Sequence, residues 1–243
     1  MDGAPTLPAV AAPRGGAAGL GSGPAPGPAP TLPAVAAPRG GAAGLGSGPA
    51  PGRSPALSFA PELLLAARGP GVGIAAAIFD VDGVLTDGRI YIGEHGESFK
   101  AFSTLDGHGM KLLAEAGIVP VVVTGRDSPA VRRRVADLGL SHAAYGAADK
   151  LAASEALLAT LGLDWSRVAV IGDDWPDLPL MRRAAFACAP PGAHIETRAA
   201  AHHVTTAPAG FGAAREFCDL LLMAAGRYAG LLHGPLRSLD GAR

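Results

Sequence analysis

The sequence predicts an α/β fold in which a doubly wound parallel sheet is covered by helices on both faces. Short apolar runs that end at Gly, Asp or Pro alternate with segments of helical period along residues 55–230. Hydrophobic residues make up 49% of the chain, enough for one buried core. Strands that alternate with helices pair in parallel, because each helix returns the chain to the start of the next strand.

Six apolar runs predict the strands of this sheet. They are residues 75–81, 118–125, 142–146, 167–174, 184–188 and 202–205. Five segments with apolar residues at helical spacing predict the helices between them. They are residues 109–117, 129–139, 147–162, 177–184 and 211–226.

One segment breaks this alternation directly after the first strand. Residues 89–102 consist of two alternating halves around Gly93-Glu94-His95-Gly96. This pattern predicts an inserted β-hairpin that acts as a flap.

The beginning of the chain differs in composition from the rest. Residues 1–52 contain 13 Gly and 11 Pro, and residues 4–27 recur word for word as 29–52. Such a segment buries too little apolar surface to offset the entropy of ordering it. We therefore expect a disordered Pro/Ala/Gly-rich extension over 1–54, a globular domain over 55–230 and a flexible tail over 231–243. A start codon assigned too early is the alternative explanation of the extension.

Several classes of protein do not fit the composition. The first ten residues lack a basic residue and a continuous apolar core, so they do not form a secretory signal. No apolar run reaches the roughly 20 residues that span a membrane. Cys188 and Cys218 have neither CxxC nor zinc-ligand spacing, and the net charge is only −1. We expect a cytoplasmic protein that binds neither membranes nor nucleic acid.

Polar side chains follow three of the predicted strands. Asp80 and Asp82 end the first strand, Thr124 and Arg126 follow the second, and Asp173 follows the fourth. Ligands of parallel sheets bind beyond the carboxyl ends of the strands. Two carboxylates as close as Asp80 and Asp82 repel each other unless a cation or a proton lies between them. The pattern therefore indicates a site at this edge of the sheet.

The residue types at this edge fit hydrolysis of a phosphate ester. Asp80 is the candidate nucleophile, since a carboxylate can attack phosphorus and divide the reaction into two steps. Asp82 can protonate the leaving alkoxide and then activate water. Thr124 can donate its hydroxyl to a phosphate oxygen, and Lys150 can neutralise the phosphate and the acidic cluster. The remaining negative charge suits Mg2+, which prefers carboxylate, water and phosphate oxygens.

Each of these motifs also has a structural explanation when it stands alone. The segment around Asp80 and Asp82 can be an ordinary turn, and Thr124-Gly125-Arg126 can simply follow a strand. Lys150 can be a solvated helix residue, and residues 172–177 can cap a helix. Four such motifs in one order at one sheet edge favour the functional interpretation.

Taken together, DVDGVLTDG, VVTGR, Lys150 and GDDWPD resemble the four ordered motifs of the haloacid dehalogenase superfamily. This resemblance implies a Rossmann-like fold and Mg2+ ligands from Asp80, the backbone carbonyl of Asp82, and Asp173. Asp82 indicates ester hydrolysis or mutase chemistry, because the dehalogenases lack this second acid. The segment from Asp80 to Thr124 has room for the hairpin and one helix, so no cap domain is expected.

A narrower resemblance covers about residues 72–227. Residues 80–113, 121–139, 172–181 and 204–227 are similar to 3-deoxy-D-manno-octulosonate 8-phosphate (KDO 8-phosphate) phosphatases. The resemblance implies a Mg2+-dependent homotetramer that hydrolyses a small-molecule sugar phosphate in lipopolysaccharide synthesis. In this family the hairpins of different subunits form a barrel, and a neighbouring subunit helps to cover each open site.

The same resemblance implies a set of substrate contacts. They are Asp82, Ser103, Thr104, Leu105, Asp106, Gly107, Lys111, Arg126, Arg134 and Lys150. Arginine and lysine suit a sugar acid that carries a carboxylate and a phosphate. Lys111 and Arg134 can also be solvated helix residues.

Two other functions stay open at this point. A capless phosphatase for another sugar phosphate, such as a nonulosonate 9-phosphate, needs the same catalytic core. A catalytically silent tetramer that serves as an interaction domain is a further alternative. The intact set of Asp80, Asp82, Thr124, Lys150 and Asp173 argues strongly against the silent tetramer.

Overall fold

The computed structural model of the protein describes residues 57–240, without the side chains of 235–240. The predicted extension over 1–54 lies outside the described residues, as do residues 241–243. Of the helices in the described part of the chain, none is both long enough and apolar enough to cross a membrane.

Six strands form one parallel sheet. They are β1 (Ala76–Phe79), β4 (Val119–Val123), β5 (His142–Ala144), β6 (Val168–Ile171), β7 (Phe186–Ala189) and β8 (His203–Val204). Their order across the sheet is β5-β4-β1-β6-β7-β8. Each predicted strand is present, and β1 pairs with β4 on one side and β6 on the other. The predicted parallel sheet is confirmed.

Eight α-helices lie in the described residues. They are α1 (Pro61–Ala67), α2 (Thr104–Glu115), α3 (Pro129–Asp137), α4 (Lys150–Leu161), α5 (Leu178–Arg183), α6 (Ile195–Ala200), α7 (Ala213–Ala224) and α8 (Tyr228–Asp240). All five predicted helices are present. Helices α1, α6 and α8 were not predicted, and α8 extends into the segment expected to be a flexible tail. The mobility of that segment stays a prediction.

The two faces of the central strand β1 pack into separate cores. Side chains alternate along a strand, so Ala77 and Phe79 face one side while Ala76 and Ile78 face the other. On the first side the rings of Phe79 and Phe217 of α7 meet edge to face, with their centroids 5.4 Å apart. Helices α4 and α5 contribute to the second core. This burial on both faces is the doubly wound arrangement that the sequence predicts.

Helix α2 begins earlier than the predicted helix over 109–117. Ser103 caps it, since its hydroxyl accepts a hydrogen bond from the backbone N–H two residues on, at 3.2 Å. Gly107, a residue type that disfavours helices, hides this earlier start in the sequence. An ideal Cβ at Gly107 would lie 2.3 Å from a guanidinium nitrogen of Arg134, so the glycine permits close approach of α3.

An antiparallel hairpin, β2 (Tyr91–Gly93) and β3 (Gly96–Phe99), follows the loop after β1. The rings of Tyr91 and Phe99 stack at 4.4 Å and hold its two strands together. Within the described residues, only this hairpin and its connecting loops separate β1 from α2, so no cap domain is inserted there. The hairpin carries apolar side chains that are exposed, among them Ile92 at 70%.

Candidate active site

The carboxyl edge of the sheet brings the four predicted motifs together. Asp80 directly follows β1, and its backbone N–H donates to the carbonyl of Ile171 in β6 at 3.2 Å. Thr124 follows β4 and is almost fully buried. Lys150 is the first residue of α4, and Asp173 lies in the loop after β6. The order of the strands places β1 between the other two, which is why these loops converge on Asp80.

Lys150 is the cation at the centre of the site. Its Nζ lies 2.7 Å from Oδ1 of Asp80 and 2.7 Å from Oδ1 of Asp177. Asp149 caps α4 by accepting a hydrogen bond from a backbone N–H of its first turn, which fixes the start of the helix and hence Lys150. Burial alone would lower the pKa of Lys150, but Asp80 and Asp177 outweigh it and raise the pKa. The side chain therefore stays an ammonium ion at neutral pH.

Three carboxylates crowd around this lysine. Asp80, Asp173 and Asp177 each offer an oxygen atom within 4.8 Å of the others. Burial, followed by Asp177, raises the pKa of Asp80. Burial, followed by Asp80 and Asp177, raises the pKa of Asp173. One ammonium ion does not balance three carboxylates, and oxygen donors in this number suit a divalent cation such as Mg2+.

Asp177 belongs to this cluster and was missed by the sequence prediction. Its Oδ1 accepts from Lys150, and its Oδ2 accepts from the backbone N–H groups of Asp173 and Asp174 at 3.1 and 3.3 Å. Because both oxygens are engaged, Asp177 orients Lys150 and the loop after β6. Asp80 and Asp173 are left as the better metal ligands. The signal in the sequence was a third acid in GDDWPD.

Close approach of two loops depends on Gly83. Its φ of +93° lies in the left-handed region, and an ideal Cβ there would lie 2.0 Å from Oδ2 of Asp173. Any side chain at position 83 would therefore push Asp173, in the loop after β6, away from the loop after β1. The glycine of the DVDG motif thus allows Asp173 to reach Asp80.

Asp82 is held by side chains from the hairpin and from the loop after β4. Its Oδ1 lies 2.5 Å from Nζ of Lys100, and its Oδ2 lies 3.7 Å from Nε of Arg126. Glu97 of β3 contacts both cations, each at 3.3 Å, and accepts a hydrogen bond from the hydroxyl of Ser128. Lys100, Glu97 and Ser128 were not predicted as site residues. They lie within the stretches that resemble the family, but they are separated from Asp82 along the chain and belong to none of the four short motifs.

No family model matches this chain. The 3-deoxy-D-manno-octulosonate 8-phosphate phosphatase of Yersinia pestis is 42% identical over 157 residues, which are 65% of this chain and 84% of the relative.

The chain belongs to the 3-deoxy-D-manno-octulosonate 8-phosphate phosphatase family.

Solved structures of the family have the same fold. The phosphatase of Moraxella catarrhalis, in complex with magnesium, phosphate and KDO, is 39% identical with a TM-score of 0.67 over 71% of this chain and 97% of its own. The cobalt-bound phosphatase of Haemophilus influenzae is 38% identical with a TM-score of 0.64, over 69% and 94%. The expected superfamily and the Rossmann-like fold are confirmed.

The residues implied as substrate contacts differ from one another in their burial and in their partners. Asp106 is buried, and its carboxylate accepts from the backbone N–H groups of Gly212 and Arg215 at 3.3 and 2.8 Å. Both of its oxygens are thus engaged at the start of α7, which they fix. Arg134 donates to the carbonyl of Ser103 at 3.0 Å and supports the loop before α2.

The other predicted contacts are more accessible. Thr104, Leu105 and Lys111 are exposed, whereas Gly107 is buried against Arg134. Nearly half of the Arg126 side chain is exposed, although it also contacts Asp82. Among the predicted substrate contacts outside the catalytic set, Arg126 is thus the one seen beside Asp82.

Proposed function

We propose that this protein is a Mg2+-dependent phosphatase that hydrolyses KDO 8-phosphate to KDO and phosphate, a step of lipopolysaccharide synthesis. The observation that carries the proposal is the contact of Lys150 with Asp80 beside Asp173, at the sheet edge of a chain that belongs to this family. The Moraxella relative binds magnesium, phosphate and KDO, which supports this choice of metal and substrate.

Two carboxylates divide the chemistry in this proposal. Asp80 attacks the phosphorus atom and forms an aspartyl phosphate, while the bond from phosphorus to the sugar oxygen breaks. Asp82 gives its proton to that oxygen. In the second step Asp82 takes a proton from water, the water oxygen attacks the phosphorus atom, and phosphate leaves Asp80. This restores the initial protonation state of both residues.

Positive charge and hydrogen bonds stabilise the reacting phosphoryl group. Asp80, the carbonyl of Asp82 and Asp173 would hold Mg2+, which supplies charge against the repulsion between carboxylate and phosphate. Lys150 lies within contact distance of Asp80 and offsets the same repulsion. Thr124 offers its hydroxyl to a phosphate oxygen. These roles are proposals that rest on the placement of the residues at one edge.

Substrate recognition is assigned to the surface around this edge. Arg126 is the guanidinium nearest to Asp82, and it suits the carboxylate of the sugar acid. Ser103, Thr104, Leu105, Gly107 and Lys111 are proposed to shape or contact the sugar. Asp106 and Arg134 act on the substrate indirectly, because their bonds support α7 and the loop before α2.

We also propose a cytoplasmic homotetramer. The hairpin exposes Ile90, Ile92 and Phe99, a set of apolar side chains that association would remove from water. Two free, buried cysteines, Cys188 and Cys218, are compatible with a reducing compartment. In the tetramer, a neighbouring copy would cover the site that the absent cap leaves open.

Phosphate release from a panel of sugar phosphates tests the proposed substrate. We expect kcat/KM for KDO 8-phosphate to exceed that for a nonulosonate 9-phosphate and for simple phosphate esters by at least about tenfold, or about 1.4 kcal/mol. Equal values across the panel would exclude the specific substrate while retaining phosphatase activity. No release from any ester in the presence of Mg2+ would favour the silent interaction domain.

A further inference from the structure

We infer that Lys100, which follows the hairpin strand β3, is a positioning residue for Asp82. It holds one oxygen of the carboxylate so that the other is free to carry the proton. The hairpin is then part of the catalytic apparatus as well as a surface for assembly. This inference rests on the proposed function, in which Asp82 is the acid and base.

The surroundings of Lys100 are unusual for a lysine. None of its side chain is exposed, and taking an ammonium ion out of water is costly unless it is paired. The pairing comes from Asp82 at 2.5 Å and Glu97 at 3.3 Å. A lysine that served only to make the hairpin soluble would extend into water. Lys100 is directed inward at Asp82.

The contacts of Asp82 distinguish its two oxygens. Oδ1 lies 2.5 Å from Lys100 and 3.5 Å from the hydroxyl of Thr86. Oδ2 lies 3.7 Å from Nε of Arg126, beyond the range of a normal hydrogen bond. Oδ1 is therefore anchored, and Oδ2 is the atom available for proton transfer. Without Lys100 the carboxylate could rotate and present either oxygen in several orientations.

Glu97 fixes Lys100 from the other side. It accepts hydrogen bonds from Ser128 and from Arg126, which belong to the segment after β4. Through Glu97 and Lys100 the hairpin thus connects the loop after β1 with the loop after β4. Both loops contribute to the site. The position of the hairpin therefore determines the orientation of Asp82.

The alternative is that Lys100 stabilises the structure of the site without positioning Asp82 for catalysis. A substrate whose leaving group needs no proton distinguishes the positioning role from this structural role. The 4-nitrophenolate ion leaves without a proton, so its phosphate ester can phosphorylate Asp80 even when Asp82 is misplaced. Hydrolysis of the aspartyl phosphate still needs Asp82 as base. A positioning role therefore predicts a selective defect in the second step. A loosened site would slow both steps together.

The test compares wild type, Lys100→Met, Asp82→Asn and the double variant by rapid mixing of 4-nitrophenyl phosphate with the full chain and Mg2+. For Lys100→Met we expect a retained burst of nitrophenolate, close to one per site, and steady-state turnover reduced about 10- to 100-fold. In the Asp82→Asn background, the same substitution should change turnover less than about twofold, since interacting residues are not additive. Arg133→Met, a surface substitution on α3, is the matched control and should behave as wild type.

Specific results would overturn the inference. One is an equal loss of burst rate and turnover in Lys100→Met, and another is unchanged kinetics in that variant. The third is a double variant whose loss of turnover equals the product of the losses in the two single variants. If Asp82→Asn shows the selective defect and Lys100→Met does not, the inference fails while the proposed function stands. If Asp82→Asn has no effect, the proposed role of Asp82 fails, and the inference with it.

A second variant covers the possibility that Lys100→Met does not fold, which circular dichroism and thermal unfolding would reveal. Glu97→Gln weakens the hold on Lys100 and leaves its contact with Asp82. We expect the same selective pattern with a smaller loss of turnover, about three- to tenfold. Equal slowing of both phases in Glu97→Gln would overturn the inference.

Discussion

At the scale of single residues, the site is a balance of charges at close range. Lys150 contacts Asp80 and Asp177, yet Asp80 and Asp173 still have raised pKa values. The cluster therefore holds more negative charge than its lysine neutralises. Such a site favours anything that brings positive charge, and it disfavours a second anion until that charge is present.

Replacement of Asp80 tests the nucleophile. Asp80→Asn preserves the shape of the side chain but removes the attacking oxygen anion, so kcat for KDO 8-phosphate should fall about 10⁴-fold or more. Phosphate release measures this, with Asp137→Asn, an exposed residue of α3, as the control. If the Asn variant keeps wild-type turnover, Asp80 is not the nucleophile.

The acidic cluster also predicts how metal binding depends on pH. Protons compete with Mg2+ for Asp80 and Asp173, whose pKa values are raised mainly by burial. The apparent affinity for Mg2+ should therefore rise as pH rises, with proton release on binding. Isothermal titration calorimetry in two buffers checks both effects.

Asp173→Asn supplies the comparison for this measurement. It removes one ligand and should weaken Mg2+ binding at least about tenfold, with a smaller release of protons. An affinity that does not vary with pH in wild type would contradict this assignment of the metal site.

At the scale of elements, a few carboxylates form hydrogen bonds between helices and loops that are not adjacent along the chain. Asp106 of α2 accepts from the start of α7, and Glu216 of α7 accepts from the chain after β8. The carboxylate of Glu216 bonds His203, Thr206 and the N–H of Ala207. Burial alone would raise the pKa of Glu216, but these hydrogen bonds outweigh it and lower the pKa.

Glu216 should therefore stabilise the fold most at higher pH. A carboxyl group whose pKa is lower in the folded state contributes fully above its unfolded-state pKa. That contribution is lost as pH falls through the folded-state value. Glu216→Gln should reduce the free energy of unfolding by roughly 1–2 kcal/mol at neutral pH, with a smaller difference below about pH 4.

Urea unfolding across this pH range measures the effect of Glu216→Gln. Glu196→Gln, at an exposed position of α6, is the control and should follow wild type at each pH. A difference between wild type and Glu216→Gln that grows as pH falls would contradict the assigned direction of the pKa shift.

At the scale of the whole molecule, the open carboxyl edge of the sheet and the exposed apolar hairpin point to the same explanation, which is association of several copies of the chain. The described chain inserts no cap domain after β1, and the hairpin exposes Ile92 and Phe99 beside a site that needs cover. Assembly through the hairpin would bury these side chains. The same assembly would bring a second copy to each site.

Substitution on the hairpin tests this assembly. Ile92→Lys places a charge where the proposed tetramer buries an apolar side chain, and it costs little in a single copy because Ile92 is exposed. We expect a smaller particle by light scattering and a lower kcat/KM. Val72→Lys, at a position 77% exposed before β1, should leave both unchanged. A tetramer that persists in Ile92→Lys would argue against this interface.

The sheet, the hairpin and the edge where the motifs meet could be predicted from the amino-acid sequence. These follow from local pattern, since apolar runs of strand length and the polar residues after them are contiguous in the chain. Asp80, Thr124, Lys150 and Asp173 could be predicted for that reason. Their individual roles follow from chemistry and stay proposals.

The contacts between side chains that are distant along the chain became visible in the folded structure. Lys150 pairs with Asp177, Lys100 reaches Asp82 from the hairpin, and Asp106 turns toward α7. The partner of a buried charge depends on how separate loops and helices pack, and no local period encodes that packing. The cost of burying an unpaired charge makes these long-range contacts decisive.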